Sequence, residues 1–358
     1  MPEKKEVLIS YVMNSENVLV NWIEYYKSVG LNLILVKRYN KYLSKLSDSN
    51  LPFIFEHNHL ALLLGVQKEF LNKIIYSPES FYRTFKIPKK SGGEREILAP
   101  YPSLLIIQNW IYNNILKNIP IHKCAHAFTA SKSIVTNCKI HAGQKEVLKI
   151  DLKDFFTSIP FNRIIFHFNK IGYNKKVSFC LARLCTYKDY LPQGAPTSPI
   201  LSNIIAIKMD KRLFALAKKF KLNYTRYADD MVFSGDNISV KFIEYVNTII
   251  ENEGFQINNS KTRLYKSANK KIVTGIVINE KELKIPREYR RELVLNLNYI
   301  LKYGYNSHVA KKKINDVNYL ERIIGKVNFW LQVEPNNEFA QKSYNYLIEE
   351  FKKKISYS

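Results

Sequence analysis

Three aspartates at the ends of short apolar segments constrain the fold of this chain more than any other feature. Residues 146–151 read Glu-Val-Leu-Lys-Ile-Asp and are predicted to form a strand that ends in a carboxylate. Ala228-Asp229-Asp230 lies between two strand candidates, Leu222–Tyr227 and Met231–Phe233. Because neighbouring side chains of a strand point to opposite faces, Asp229 and Asp230 serve one site only at the tip of a turn. The sequence therefore predicts a hairpin with an acidic tip.

The three aspartates, Asp151, Asp229 and Asp230, stand in an otherwise basic part of the chain. Carboxylates that converge on one point repel each other, and this raises their pKa values unless a divalent cation neutralises them. A ligand set made only of oxygens suits Mg²⁺, with Mn²⁺ as the alternative. A single aspartate such as Asp151 is also common in turns and helix caps, so it is the combination that predicts a metal site.

The net charge indicates the kind of partner. The 358 residues include 55 Lys and Arg against 31 Asp and Glu, a formal charge of +24. Residues 81–280 hold 31 of the basic and 14 of the acidic residues, so the excess is concentrated in the middle of the chain. A concentrated positive field favours a polyanionic partner, and nucleic acid is the expected one. An ordinary solvated lysine surface is the alternative.

The four cysteines and the hydropathy indicate the compartment. Cys124, Cys138, Cys180 and Cys185 show neither a Cys-x-x-Cys spacing nor a dense pattern, so neither a disulfide framework nor a zinc site is expected. No uninterrupted apolar run reaches the roughly 18 to 20 residues that a membrane span needs. We therefore expect a soluble, cytoplasmic protein with no membrane partner.

Apolar periodicity predicts a mixture of helices and hairpins. Helical spacing favours helices over 57–76, 103–117, 161–171, 199–220 and 240–252, and beyond Pro286. Ile87–Ile97 is predicted to be a hairpin with a glycine-rich, basic tip, and Arg263–Asn279 a second hairpin that turns at Ser267–Lys270. Helices and hairpins without regular strand–helix alternation are typical of an α+β fold, here with helices at the C-terminal end.

Six short blocks follow one another in a fixed order. They are Phe85–Arg95 with Ala99-Pro100, Ile150-Asp-Leu-Lys-Asp-Phe-Phe156, Leu191–Pro199, Tyr227-Ala-Asp-Asp230, Gly254–Thr262 and Val273-Thr-Gly275. In this order they resemble the reverse transcriptases, over roughly residues 51–340. Val273-Thr-Gly275 and Asn137-Cys-Lys-Ile-His141 resemble bacterial retron enzymes in particular, with Cys138 where those enzymes commonly have alanine.

The resemblance implies a right-hand polymerase, with fingers, a palm built on an antiparallel sheet, and a helical thumb. We expect residues 51–280 to form the fingers and palm. Residues 281–358 are expected to form a helical thumb that binds RNA or duplex, and residues 1–50 an N-terminal accessory extension.

The resemblance also implies roles for individual residues near the aspartates. Asp151, Asp229 and Asp230 would hold two Mg²⁺ ions, with the backbone carbonyl of Leu152 completing the coordination. Lys261 resembles a lysine that protonates pyrophosphate, although an ordinary surface lysine is the alternative. The residues expected to contact the incoming nucleotide are Lys89, Lys90, Arg95, Phe156, Gln193 and Gly194. Phe156 resembles the aromatic residue that excludes a ribose 2′-hydroxyl, although an aromatic residue beside a strand end is ordinarily part of the core.

The predicted RNA-binding residues fall into the two retron-like elements and the C-terminal helices. A charged helix face is the ordinary alternative for the basic residues of the second group. The predicted residues are Asn137, His141, Val273, Thr274, Gly275, Arg287, Arg290, Arg291, Lys311, Lys312 and Lys313.

The function implied by the resemblance is RNA-directed DNA synthesis by a retron enzyme. Such an enzyme copies its own structured noncoding RNA with deoxynucleoside triphosphates, starts from a guanosine 2′-hydroxyl, and leaves a branched RNA–DNA product. An effector protein partner and a role in anti-phage defence are also implied. Two alternatives stay open: an abortive-infection type polymerase that makes untemplated or protein-primed DNA, and a non-catalytic RNA-binding scaffold.

Overall fold

The computed structural model describes residues 15–89, 92–266, 270–279 and 282–356. Helices predominate at both ends of the chain, and strands are concentrated in its middle. The helices are α1 (Ser15–Ser28), α2 (Leu33–Asp48), α3 (His57–Leu64), α4 (Lys68–Tyr76), α5 (Pro102–Asn114), α6 (Ile134–Lys139), α7 (Phe161–Ile171), α8 (Lys175–Leu184), α9 (Ser198–Ile205), α10 (Ile207–Lys219), α11 (Val240–Asn252), α12 (Arg287–Tyr303), α13 (Tyr305–Lys312), α14 (Tyr319–Val333) and α15 (Glu338–Ser356). The strands are β1 (Tyr82–Pro88), β2 (Glu94–Pro100), β3 (Glu146–Lys153), β4 (Asn223–Tyr227), β5 (Asp230–Gly235), β6 (Gln256–Ile257), β7 (Arg263–Tyr265), β8 (Lys271–Val273), β9 (Ile276–Ile278) and β10 (Leu283–Lys284).

The chain divides into two compact units that do not follow a single cut in the sequence. The first comprises the described parts of Met1–Lys123, Lys153–Arg212 and Ile250–Gln256, and the second those of Cys124–Leu152, Leu213–Ile249 and Ile257–Ser358. The expected division into residues 1–50, 51–280 and 281–358 stays a prediction. None of the helices in the described part of the chain is long and apolar enough to cross a membrane.

The first unit is mainly helical and carries the predicted basic hairpin. β1 and β2 pair antiparallel from Tyr82 with Pro100 to Pro88 with Glu94, which confirms this hairpin. Inside the unit the buried Gln108 donates from Nε2 to the Tyr82 hydroxyl (2.7 Å) and to the Leu184 carbonyl (2.8 Å). A buried amide that is paired in this way holds α5 against the start of β1 and the end of α8.

The helix expected over residues 57–76 is two helices. Gly65 ends α3 in the left-handed conformation (φ +67°), and α4 begins at Lys68. Glycine adopts this conformation without the steric cost that a side chain incurs, so it ends a helix that apolar spacing alone would continue. The helix expected over 199–220 is likewise interrupted at Ala206, between α9 and α10.

The second unit is built on an antiparallel sheet with the strand order β4–β5–β3–β6, in which β7 also pairs with β3. The register pairs Val232 of β5 with Lys149 of β3 on one side and with Thr225 of β4 on the other. The strands expected at 146–151, 222–227 and 231–233 are therefore confirmed.

The predicted hairpin Arg263–Asn279 is wrong, and its expected turn lies largely outside the described residues. β7 pairs with β3, whereas β8 pairs with β9 around Thr274 and Gly275. These two residues have positive φ, +44° and +84°, which is the geometry of a two-residue turn that matches the twist of a hairpin. Turn geometry therefore selected a different and shorter hairpin.

One apolar cluster joins the sheet of the second unit to its C-terminal helices. Val147 and Val232 contribute from the sheet, and α6, the small sheet β8–β9–β10, α12, α14 and α15 contribute the rest. Its largest buried side chain is Trp330 of α14, which is 2% exposed. This shared core fixes α6 and the β8–β9 turn relative to the sheet that carries the aspartates.

Candidate active site

The three predicted carboxylates meet at one end of the second unit's sheet. Asp151 of β3 is the register partner of Asp230 of β5, and residues directly opposite on antiparallel strands share one face. Tyr227 pairs with Asp230, which leaves Ala228 and Asp229 as the tip of the β4–β5 hairpin. The Leu152 amide donates to the Asp229 carbonyl (3.0 Å), so the hairpin tip is fixed to the end of β3.

Ala228 is the strained residue of this tip. Its φ is +55°, in the left-handed region that non-glycine residues rarely adopt. The buried Arg226 donates from Nη1 to the Ala228 carbonyl (3.0 Å) and so stabilises the turn. Strained backbone of this kind often stands at functional sites, where the surrounding contacts hold it in place.

The electrostatics of the cluster are unfavourable in the absence of a cation. Burial, followed by the neighbouring charge of Asp230, raises the pKa of Asp229 above its ordinary value. Burial also raises the pKa of Asp230, and this outweighs the opposite effect of Lys149. A site that buries several carboxylates together is arranged to bind positive charge.

Two lysines supply part of that positive charge. Lys261 Nζ lies 3.2 Å from Asp151 Oδ1, which brings the predicted proton donor to the carboxylates. Lys149 Nζ lies 3.1 Å from Asp230 Oδ1, a contact that the sequence analysis missed. Strand periodicity was the available signal, because Lys149 precedes Asp151 by two residues and must share its face.

The chemistry of these residues fits a divalent cation, although the described side chains are not arranged as a complete set of metal ligands. No three His, Cys, Asp or Glu side chains within the described ranges are grouped as a ready metal site. Asp151 and Asp230 face lysines instead. Asp151 and Asp230 nevertheless share one sheet face, with Asp229 at the turn beside them. All three supply only oxygen, the donor that Mg²⁺ and Mn²⁺ prefer.

The basic residues expected to bind the triphosphate belong to the first unit. Arg95 and Lys89 are exposed near the tip of the β1–β2 hairpin, where the Lys89 amide donates to the Gly93 carbonyl (2.9 Å). Lys90 lies outside the described residues. Exposed basic groups on a tight, glycine-containing turn can approach a phosphate from solvent. Binding of the triphosphate by Lys89 and Arg95 stays a prediction.

Phe156, Gln193 and Gly194 also lie in the first unit. Phe156 is half-buried, and its ring lies 5.5 Å from that of Phe155. The Gln193 carbonyl accepts from the Leu98 amide (2.8 Å), so the Gln193–Gly194 loop is fixed to β2. Gly194 has φ +131°, and a Cβ there would lie 2.7 Å from the Leu98 carbonyl oxygen. Glycine is therefore required for this close approach of two backbone segments.

The two retron-like elements come together in the second unit. Cys138 Sγ lies 3.2 Å from the Val273 carbonyl and 3.3 Å from Thr274 Oγ1, which joins α6 to the β8–β9 turn. Asn137, His141 and Val273 are completely buried, so none of them presents a surface to RNA in this structure. These three residues therefore occupy interior positions, and RNA binding by them, as by Thr274 and Gly275, stays a prediction.

The basic residues of the C-terminal helices differ in their availability. Arg287 and Arg291 are exposed, whereas Arg290 is paired with Glu334 and stacks over Trp330 (5.5 Å to the ring centroid). Lys311 lies over the Tyr299 ring (4.7 Å), and Lys312 Nζ donates to Asn296 Oδ1 (2.8 Å). Lys313 is exposed and ends α13 in the left-handed conformation. All except Arg290 keep charge at the surface, and their RNA contacts stay predictions.

Comparison with known proteins identifies the family. The family described as reverse transcriptase (RNA-dependent DNA polymerase) matches residues 87–320. The chain is 34% identical over 260 residues to the retron Ec86 reverse transcriptase of Escherichia coli, covering 72% of this chain and 81% of that protein. It is 34% identical over 273 residues to the retron Mx162 reverse transcriptase of Myxococcus xanthus, covering 65% of this chain and 56% of that longer protein.

Among solved structures, a telomerase from Candida albicans in complex with a telomeric RNA fragment aligns with a TM-score of 0.44 and 10% identity, covering 74% of this chain and 62% of that one. The sequence matches carry the assignment by themselves, since the family extends over most of the chain. By these matches and its α+β fold, the chain belongs to the reverse transcriptase family, among the bacterial retron enzymes, and is an RNA-directed DNA polymerase.

Proposed function

We propose that Asp151, Asp229 and Asp230 form the catalytic centre of this polymerase. The observation that carries the proposal is the β3–β5 register, which puts Asp151 opposite Asp230 on one sheet face beside the Asp229 turn. Enzymes of this family generally depend on a divalent metal, and we assign two Mg²⁺ ions to these carboxylates and the Leu152 carbonyl. When bound, such ions lower the pKa of a primer hydroxyl and neutralise the charge of a triphosphate.

The chain's own residues position the reactants. The carboxylates hold the positive charge at the end of the sheet, and Lys261, which is more than half exposed beside Asp151, can turn towards a leaving pyrophosphate and give it a proton. Lys89 and Arg95 are proposed to grip the triphosphate, and Gln193 and Gly194 to adjoin the incoming nucleotide. Catalysis by such a site is mostly orientation and charge stabilisation.

The finer assignment follows the retron relatives. We propose that the enzyme copies a structured noncoding RNA encoded beside it, starts from a guanosine 2′-hydroxyl, and leaves a branched RNA–DNA product. Defence against phage together with an effector protein is part of the same proposal. The charge of +24 supports a large polyanionic partner, and four buried cysteines, none of which is in a disulfide, support a reducing cytoplasmic location.

The test is to express the protein with the genomic RNA upstream of its reading frame and to isolate single-stranded DNA. We expect this DNA to disappear in Asp229→Asn and in Asp151→Asn, which keep side-chain shape but remove the charge. Asp236→Asn is the matched control, because Asp236 is exposed and pairs with Lys145 at the surface. Persistence of the DNA in both active-site variants would show that the catalytic assignment is wrong.

The nature of the DNA 5′ end tests the priming proposal separately. A ribonucleotide that stays attached through a 2′ linkage after alkaline hydrolysis supports the branched product. DNA joined to a tyrosine supports the protein-primed alternative. A protein that binds the RNA but makes no DNA with or without the aspartates supports the scaffold alternative.

A further inference from the structure

His141 makes two short hydrogen bonds in the interior of the second unit. Its Nδ1 lies 2.7 Å from Ser234 Oγ, and its Nε2 lies 2.7 Å from Thr225 Oγ1. His141, Ser234 and Thr225 are all completely buried. At completely buried positions, both ring nitrogens and both hydroxyls depend on these contacts for their hydrogen bonding.

The two partners of His141 belong to the two strands of the catalytic hairpin. Thr225 lies on β4 opposite Val232, and Ser234 lies on β5 opposite Asn223. Alternate residues of a strand share a face, so Ser234 and Asp230 of β5 lie on the same side of the sheet. The imidazole therefore bridges β4 and β5 on the sheet face that carries Asp230. Along the strands, it contacts the hairpin further from the turn than Asp230.

The protonation of His141 suits this bridge. Burial, followed by the nearby His126, lowers the pKa of His141 to about 3, so the ring is neutral at physiological pH. A neutral imidazole has one donor and one acceptor nitrogen, and each hydroxyl can rotate to provide the complementary group. A protonated imidazole would donate from both ring nitrogens and would require both hydroxyls to accept.

His141 is itself fixed from the other side. Its backbone amide donates to the Cys138 carbonyl (3.0 Å) at the end of α6, and Cys138 contacts Val273 and Thr274 of the β8–β9 turn. Val135 and Cys138 of α6 are part of the apolar cluster that joins the sheet to the C-terminal helices. The imidazole is thus a rigid group that extends from a packed helix to the hairpin.

We propose that His141 is a positioning residue for DNA synthesis, which holds the β4–β5 hairpin, and with it Asp229 and Asp230, in place beside Asp151. It does so without touching RNA, nucleotide or metal. The inference rests on the proposed catalytic role of the three aspartates. Orientation is the main contribution of such a site, so a small displacement of one carboxylate is expected to slow the chemical step strongly.

The test compares variants in steady-state synthesis on a polyadenylate template with an oligothymidylate primer. Thr225→Val removes one hydroxyl with little change of shape, and Ser234→Ala removes the other. His141→Ala removes the bridge, and His141→Gln restores an amide that has both a donor and an acceptor. Val327→Ala is the matched control, because Val327 is buried in the same apolar cluster but belongs to α14 and not to the hairpin.

We expect kcat to fall about tenfold in Thr225→Val and about a hundredfold in His141→Ala, which is the scale of an ångström-sized misplacement. The affinity for the upstream RNA is expected to stay within about twofold of the parent enzyme, since the buried imidazole contacts none of it. His141→Gln is expected to recover part of the kcat. Val327→Ala is expected to lower stability but to keep the parent kcat at temperatures at which the variant stays folded. Thr225→Val, whose shape is conserved, keeps the comparison valid if His141→Ala does not fold.

Two results would overturn the inference. One is an unchanged kcat in Thr225→Val and Ser234→Ala, or a fall no larger than that of Val327→Ala. The other is a loss of RNA affinity with an unchanged kcat, which would return His141 to RNA recognition. The Asp229→Asn variant separates the two proposals. DNA synthesis by Asp229→Asn would show that the catalytic assignment is wrong. An inactive Asp229→Asn together with fully active His141 variants would show that only the positioning role is wrong.

Discussion

The two lysines at the carboxylates occupy different environments. The Lys149 side chain is 24% exposed and is paired with Asp230 on the neighbouring strand. The Lys261 side chain, which is paired with Asp151, is 55% exposed. Among the described residues no lysine or arginine pairs with Asp229, whose pKa is raised chiefly by burial. The more exposed lysine has the freedom that a proton donor to a leaving group needs, while the enclosed one is suited to fix the position of Asp230.

Phe156 provides a test of nucleotide selection. If its ring excludes the ribose 2′-hydroxyl, Phe156→Ala opens space for that group. We expect the preference for deoxynucleotides over ribonucleotides to fall by about tenfold or more, since a steric difference of 1–3 kcal/mol is at stake. The measurement is kcat/KM for dGTP and GTP on one template.

Phe155→Leu is the control for Phe156, because Phe155 is buried beside it in the core. Unchanged discrimination in Phe156→Ala would assign the ring to packing, the role that an aromatic residue near a strand end ordinarily has.

Gly194 provides a test of backbone constraint. Its φ of +131° and the 2.7 Å approach of a Cβ to the Leu98 carbonyl predict that Gly194→Ala destabilises the first unit. We expect a loss of about 2 kcal/mol in the free energy of unfolding, measured by denaturant titration. Gly65→Ala is the control: it also has positive φ, but a Cβ there meets nothing within 4 Å, so its loss should be about half as large. Equal losses in both variants would contradict the steric explanation.

At the scale of elements, short hairpins with constrained turns define the second unit. The β4–β5 turn uses Ala228 at positive φ, held by Arg226, and the β8–β9 turn uses Thr274 and Gly275. Thr274 is β-branched and therefore costly in this conformation, and its contact with Cys138 helps to stabilise it. Each turn consequently depends on a neighbouring element and cannot be understood as an isolated hairpin.

Helix α14 contains a replaceable glycine. Gly325 lies inside the helix, is exposed, and would place a Cβ in open space. Alanine loses less conformational freedom than glycine on entering a helix, so Gly325→Ala should stabilise the protein by about 0.5–1 kcal/mol. The readout is the midpoint of denaturant unfolding, and an unchanged or lower midpoint would contradict the expectation.

At the scale of the whole molecule, the excess of positive charge predicts salt-dependent RNA binding. Each phosphate contact contributes about −0.7 to −0.9 to the slope of log affinity against log salt concentration. Replacing Lys311, Lys312 and Lys313 together by glutamine should therefore make that slope shallower by up to about 2 to 3. The measurement is a binding titration of the upstream RNA at several salt concentrations.

Three exposed lysines of α2 provide the matched control for this charge change. Replacement of Lys37, Lys41 and Lys45 removes the same charge from a helix outside the family match, and should leave the slope nearly unchanged. Equal effects of the two triple variants would show that net charge matters and that the C-terminal lysines have no specific contact.

Buried histidines predict acid sensitivity of the second unit. Burial lowers the pKa of His126 to about 4 and that of His141 to about 3, both below the ordinary value of 6.5. The unfolded chain therefore binds these protons more readily, and the associated stability is complete above about pH 6.5 and is lost as the pH falls towards the folded values. Between pH 7 and pH 5.5 we expect a loss of about 1 kcal/mol per histidine in the free energy of unfolding.

The control is the same pH series in His141→Gln, which removes one titrating group. Its stability should depend less steeply on pH, by about 1 kcal/mol over this interval. An identical pH dependence in the parent and the variant would contradict the assignment of this proton to His141.

The sequence alone determined the acidic hairpin, the basic charge and most elements, because these depend on residues that are neighbours along the chain. Asp229 and Asp230 lie between two short apolar strand candidates, and Phe161–Ile171 shows its helical spacing locally. Only the tertiary structure decided that β7 pairs with β3, that Lys149 meets Asp230, and that His141 faces inward to Thr225 and Ser234. These contacts join residues that are far apart in the chain, up to 118 positions for Val147 of β3 and Tyr265 of β7. Strand register and burial are settled by packing between such distant segments, which no local pattern records.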